Sequence, residues 1–583
     1  MALSEDRPAA APRRPARTLR RAAAFLPGRS LHAAPLALAL SFLAASLTPS
    51  LIPRSAELQG ILGGIVMAAG YLIGRSALSL WRLLELPEPA GRAAAALRLA
   101  VLLPAVLLVA WSLVHVGEWQ TSVRRAVGMG PAEAVHGLRI LLLAGAVFAA
   151  CILAGRVVRW LFGWVRGRLD PFMPRRVANV AGALIAAALV IVVTRDGVVD
   201  AAFGAADRSF ARAAHFFDPE GPPPADPLAS GGPGSLIDWG EMGAQGRDFM
   251  LRGPTRGEIA AFTGRSAKAP LRIYVGLESA RTPEGRAALA VAEMERVGAF
   301  RRASLIVVMP TGTGWLDPGS HAPVEYLLNG DVATVAVQYS YLTSPLALAF
   351  ETDTGLHQSV ALMRAVTARW NAMPEADRPR LYLHGLSVGA WSSMYAVDLF
   401  QLVNDPIDGA LWAGPPFPSD LWRRAVARRD PASPYVLPEV ERGRLVRFAD
   451  QRASIDPEGW GRMRIVFLQY ASDPVVFYEP AATWRRPRWM REPPAFDVSG
   501  ELTWMPVVTM LQLALDMALA TEVPPGYGHN YVAEDYVPAW AAVLGIDWPG
   551  AEITRLQRHC GIEWGLGCRR MRAAEPLGME PRP

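Results

Sequence analysis

The sequence predicts an α-helical transmembrane bundle followed by an α/β domain with a mostly parallel sheet. Three observations carry that reading. Five long apolar stretches crowd residues 31–195, the charge of the chain divides between its two parts, and short apolar runs alternate with helical patterns beyond residue 235. A chain of 583 residues is too long for one soluble domain, since domains cluster at roughly 100–200 residues. Residues 1–195 carry 22 arginines against 8 acidic side chains, a net of +14, so the whole-chain value of +6 leaves −8 for the rest. The positive charge belongs to the part where arginines flank apolar runs, which argues against a nucleic-acid partner.

The apolar stretches are 31–52, 58–74, 99–116, 140–155 and 177–194, preceded by a basic tail over 1–30. Crossing a hydrocarbon core of about 30 Å takes roughly 20 helical residues, and arginines at the ends of the short fourth stretch can snorkel outward. A cleaved signal peptide does not fit the first stretch, because four more follow it. If the tail is cytoplasmic, it and the two loops on its side hold 17 arginines, against four (Arg54, Arg124, Arg125 and Arg139) in the opposite loops. The positive-inside rule favours that orientation, and an odd number of spans then puts the remainder of the chain outside the cytoplasm. Gly60 with Gly64, and Ala178 with Gly182 and Ala186, place small residues four apart, a spacing that lets helices approach closely. No acidic residue lies mid-span, so the bundle reads as an anchor without its own ion pathway.

Residues 196–235 read as a linker, Pro- and Gly-rich from Asp218 onward, and 236–583 as the α/β domain. Strands are expected at 271–276, 304–309, 332–338, 380–384, 409–413 and 464–470, and helices notably at 354–371, 388–402 and 503–520. There is no internal repeat. The three cysteines are too few for a disulfide scaffold, no His/Cys/Asp cluster has metal-ligand spacing, and no cofactor motif stands out, so neither metal nor cofactor is expected. Outside the spans, Cys560 and Cys568 frame a glycine-containing loop, and a domain outside the cytoplasm would join them.

The chemistry centres on residues 380–391, R-L-Y-L-H-G-L-S-V-G-A-W. A strand pattern runs into Gly385-Leu386-Ser387-Val388-Gly389 and a helix pattern follows at once. The G-x-S-x-G turn needs Gly385 and Gly389 because the serine occupies a sharp strand-to-helix bend where side chains two residues away would collide. The helix start also offers the Val388 N–H to an oxyanion. An ordinary strand-to-helix turn is the competing reading of the same residues.

A serine nucleophile needs a base, and the chain order of this arrangement is Ser, then acid, then His. Only His529 and His559 follow Ser387, and His529, between glycines in G-Y-G-H-N-Y, is the candidate base. His384 precedes the turn and reads as a packing or supporting residue. Asp473 directly follows an apolar strand, where a carboxylate can hold the imidazole tautomer, and Asp450 and Glu479 are fallbacks. The turn in V-V-M-P-T-G-T-G-W, residues 307–315, is the candidate second oxyanion donor through Gly312 and Thr313. It lacks the following Lys-Ser/Thr of a phosphate-binding loop.

These residues, with Leu271–Leu277, Pro310–Trp315, Gly330–Tyr341 and Gly409–Pro416, resemble the bacterial membrane-bound alpha/beta-hydrolases, which join a multi-span N-terminal domain to a C-terminal hydrolase domain. The family turn is usually G-E-S-L-G; here Leu386 and Val388 take the variable places. The resemblance implies an alpha/beta-hydrolase fold and a serine hydrolase integral to a bacterial inner or plasma membrane. The expected substrate is a small-molecule or lipid-like acyl ester or thioester. An acyltransferase would use the same residues with an alcohol in place of water, and a non-catalytic receptor or scaffold on the same fold would have lost one of the three. One departure stands out: no strand of useful length precedes His529, and the helix at 503–520 is expected in its place.

Overall fold

The computed structural model describes residues 32–132, 136–169, 221–341, 352–397, 399–452, 455–561 and 567–568. The N-terminal part is a helical bundle of α1 (Ala33–Ser46), α2 (Ala56–Leu83), α3 (Gly91–Ala126) and α4 (Gly137–Leu169). Three of these, α2, α3 and α4, are long and apolar enough to cross a membrane. The first expected span is only partly helical: α1 has 14 residues, about 21 Å at 1.5 Å per residue. The chain around Pro49 and Pro53 then continues without a helix until Ser55 caps α2 by accepting the Leu58 N–H. The expected span at 177–194, with Ala178, Gly182 and Ala186, lies outside the described residues, as does the expected linker up to residue 220.

Small residues set the helix spacing. A Cβ on Gly60 would stand 2.7 Å from Leu143 Cβ, and one on Gly64 2.5 Å from Val147 Cβ, so α2 and α4 touch through this pair. The outward side chains are apolar, among them Leu103, Leu107, Val114, Leu142 and Leu153, each exposed. A surface of that kind suits lipid and not water.

The second part is a seven-stranded, all-parallel sheet in the order β1-β3-β2-β4-β5-β7-β6. Its strands are β1 (Leu271–Val275), β2 (Ser304–Met309), β3 (Val332–Val337), β4 (Arg380–Leu386), β5 (Gly409–Ala413), β6 (Val446–Ala449) and β7 (Arg464–Leu468). β1, β2, β3 and β5 are buried throughout, which is why they read as largely apolar runs, as strands covered on both faces do; the one charge among them, Arg272 in β1, is paired with Glu325 at 2.7 Å. Alternation along β4 shows the two covers. His384 meets Ser320 and Trp540 on one face. Gly385 pairs with Trp412, whose indole N–H donates to Ser393 Oγ in helix α5 (Val388–Ala396) on the other.

Three sequence expectations change. The helix expected over 388–402 is two pieces, α5 and Leu399–Asn404. The helix expected over 503–520 is the shorter α6 (Val508–Ala518), entered through Val507 at φ 65°. β6 was not anticipated, being four residues long with Arg447 inside it. β6 also resolves the missing last strand: it fills the edge beside β7 from earlier in the chain, so a loop after α6 can carry His529 to the sheet. The Pro- and Gly-rich segment is fixed from residue 221 on, since Ser235 Oγ donates to Glu293 at 2.7 Å and Arg296 binds the Pro227 carbonyl at 2.5 Å.

Candidate active site

β4 ends at Leu386 and α5 begins at Val388, leaving Ser387 alone in the turn. Its φ of 58° and ψ of −128° are sparsely populated for a side-chain-bearing residue, at a cost of roughly 1–3 kcal/mol. The glycines make the bend possible. A Cβ on Gly385 would lie 2.4 Å from the Gly389 carbonyl, and one on Gly389 would lie 2.1 Å from the Met309 oxygen at the end of β2. The Ser387 N–H donates to Ala413 O at 2.9 Å, holding the turn to β5.

Asp473 follows β7, two strands along the sheet from β4, and is fully buried. One carboxylate oxygen accepts the Val475 N–H at 2.9 Å. The other lies 2.7 Å from His529 Nδ1 and accepts the Tyr531 hydroxyl at 2.8 Å. A carboxylate facing Nδ1 places the imidazole proton there and frees Nε2 to accept one. Backbone bonds hold the histidine loop: His529 N–H to Ala520 O at 2.8 Å, and Gly528 N–H to Ser472 Oγ at 2.9 Å. His529 Nε2 is buried without a hydrogen-bond partner among the described residues. The structure thus joins Asp473 to His529 and puts both Ser387 and His529 on one cavity, but it does not close a Ser387–His529 hydrogen bond. Such bonds are often long before substrate binds.

That cavity, of about 810 Å³, is lined mainly by apolar side chains, with Leu386, Val388, Trp315, Val475 and Met517 among them. Thr313 lines it; Gly312 does not. The turn before Trp315 is braced by its carbonyls, with Gln338 donating to Thr313 O at 3.1 Å and Tyr274 to Gly314 O at 2.7 Å. Its Thr311 and Gly314 N–H groups bond within the turn, whereas those of Gly312 and Thr313 have no acceptor among the described residues.

A model described as the alpha/beta-hydrolase family matches residues 271–556, and one for the N-terminus of that family matches residues 47–254. The chain belongs to the alpha/beta-hydrolase family. No match was found among curated proteins or among solved structures. Of the other residues singled out in this alpha/beta-hydrolase, His384 is buried, bonded to Leu411 O at 2.7 Å and to Ser320 Oγ at 3.0 Å, with burial lowering its pKa to about 4. It is a neutral packing residue. Asp450 and Glu479 do not line the cavity. Cys560 and Cys568 form a disulfide with Cα atoms 3.7 Å apart, closer than the usual 4.4–6.8 Å, and Cys560 borders the cavity.

Two residues of the site escaped sequence reasoning. Tyr531 lies two residues after His529 and shares its carboxylate oxygen on Asp473, yet a tyrosine there carries no motif. Asp317, also on the cavity, accepts the Gly319 N–H at 2.8 Å, and burial pushes its carboxyl up to about 7. Its D-P-G context reads as an ordinary helix cap.

Proposed function

We propose that this alpha/beta-hydrolase is a membrane-anchored serine hydrolase that cleaves an ester or thioester through an acyl-enzyme. The observation that carries the reading is the buried Asp473–His529 hydrogen bond of 2.7 Å beside a cavity that also holds the strained Ser387. Ser387 Oγ attacks the acyl carbon while His529 Nε2 takes its proton, and Asp473 keeps the imidazole in the receptive tautomer and stabilises the imidazolium. The N–H groups of Val388 and of the Gly312–Thr313 turn face the oxyanion. His529 then protonates the departing alcohol or thiol, and water, activated by the same imidazole, releases the acid. In the same reading the helical part sits in a bacterial inner or plasma membrane and the hydrolase part lies outside the cytoplasm. Arg75, Arg82, Arg92, Arg98, Arg156 and Arg159 gather towards the bundle end remote from the hydrolase, and the Cys560–Cys568 pairing suits an oxidising compartment.

Pre-steady-state turnover of a p-nitrophenyl ester tests the mechanism. A burst of nitrophenol stoichiometric with the protein, followed by slower release, is the signature of an accumulating acyl-enzyme. Hydrolysis that survives undiminished in Ser387→Ala would remove the reading.

A further inference from the structure

Helix α6 is apolar, yet its polarity is inverted relative to that of a soluble surface helix. Its polar residues, Thr509, Gln512 and Asp516, are buried, and the side chains that are not buried are Met510, Leu511, Ala514, Leu515, Met517 and Ala518. A helix in water would show the opposite arrangement. The buried polar groups are tied to the membrane part. Gln512 Nε2 donates to Thr48 O at 3.0 Å, and Asp516 accepts Ser50 Oγ and the Leu51 N–H, each at 3.0 Å. Val508, at the other end of α6, packs with Leu62 and Val66 of α2, which lie about 9–15 Å along that helix from its start at a rise of 1.5 Å per residue. The start of α6 therefore sits at the depth where α2 is apolar enough to be in lipid, and its end at the α1–α2 connection.

The same helix walls the cavity. Ala514, Met517 and Ala518 line it, and the lining residues that are exposed, Ala518, Thr521 and Pro525, all lie at the end of α6 or just beyond. The cavity thus opens beside the lipid-level helix. A second, separate observation marks the start of α6. Trp484 is 72% exposed within W-R-R-P-R-W-M-R, where Arg485, Arg486, Arg488 and Arg491 are also exposed. This segment adjoins the start of α6 through Val507 N–H to Thr483 O and Trp504 Nε1 to Ala482 O. Exposed tryptophan with arginines is the composition that settles at a headgroup layer.

We infer that the substrate is a membrane-resident acyl ester, drawn from the adjoining leaflet past the end of α6, with its chain lying against Ala514 and Met517 and its carbonyl at Ser387. The inference rests on the reading of Ser387 as nucleophile, and the test separates the two. The full chain is reconstituted in lipid nanodiscs and given two fluorogenic esters of one alcohol, a hexadecanoyl ester dissolved in the disc and a butanoyl ester in solution. The parent should cleave both. Ala514→Trp and the milder Met517→Phe should lower the ratio of hexadecanoyl to butanoyl kcat/KM by at least about 10-fold, because a larger side chain obstructs the longer chain more than the shorter one. Equal losses for both esters, or a parent that cleaves the butanoyl ester and ignores the one in the bilayer, would overturn the inference while leaving the nucleophile intact. Absence of fluorophosphonate labelling in the folded parent would instead remove the nucleophile, and the inference with it.

Discussion

Ser387 is held at φ 58° by contacts that leave no room for any residue but glycine on either side of the bend. Replacing Gly389 by alanine drives a methyl group against the Met309 oxygen, an overpacking that costs roughly 1–3 kcal/mol or more; lowered thermal stability together with lost turnover is expected. In the triad proposed here, His529→Ala and Asp473→Asn should each cut turnover by roughly 10³–10⁴-fold, and steady-state kinetics on folded variants checks this. Asp317 gives a pH signature. Its folded pKa of about 7 lies above the ordinary carboxylate value near 3.9, so between the two the folded chain keeps a proton that the unfolded chain has released. Its contribution to stability therefore falls as pH rises through that window and levels off above about 7. Asp317→Asn keeps an acceptor for the Gly319 N–H and loses the ionisation, so its melting temperature relative to the parent should be higher at about pH 8 than at about pH 5. A difference independent of pH would contradict this.

α6 is the element on which the two parts of the molecule meet. Arg54 and Asp516 form a fully buried pair, Nε to Oδ1 3.5 Å, and Arg54 also binds Gln59 at 3.1 Å while its N–H donates to Gln120 at 2.9 Å. Arg54→Met leaves a buried carboxylate without its cation and should destabilise by about 3–5 kcal/mol, with part recovered in Arg54→Met/Asp516→Leu; unfolding monitored by tryptophan fluorescence reads both. The sequence was uneven in what it disclosed at this scale. Buried strands such as Ser304–Met309 and Val332–Val337 were legible because parallel strands covered on both faces are apolar at nearly every position, Ser304 and Thr334 being the exceptions. β6 was hidden because Arg447 turns outward to bind the Gly443 carbonyl at 2.8 Å and breaks the apolar run. The Arg54–Asp516 joint was missed because its partners are 462 residues apart, although Gln512 and Asp516 share one face of an otherwise apolar helix and so required buried partners. At the site, Asp473 and His529 could be named from position and chain order, whereas Tyr531 and Asp317 depend on the folded shape of the cavity.

Across the whole molecule, the end of α1, the start of α2 and the end of α3 meet the hydrolase part: Leu51, Ile52 and Val127 join its core, and Ser122 and Ser499 share a hydrogen bond of 2.7 Å. Ile52 touches the Gly528 position and Gly128 the Tyr527 ring, so the histidine loop rests on the bundle. A domain placed outside the cytoplasm should hold Cys560 and Cys568 oxidised, and alkylation of protein denatured without reductant should then modify one thiol, that of Cys151; three modified thiols would remove the bridge and weaken the external placement with it. A reporter active only in the cytoplasm should work at the N-terminus and fail after Pro583, and activity at both ends would mean an even number of spans and a cytoplasmic hydrolase part. The central claim is that Ser387 is an activated nucleophile. Reaction of the full-length protein with a fluorophosphonate, followed by peptide mass mapping, tests it most directly. The account predicts one adduct, on the peptide containing Ser387, lost in Ser387→Ala; a folded protein that takes up no label, or a Ser387→Ala variant labelled as fast as the parent, would contradict it.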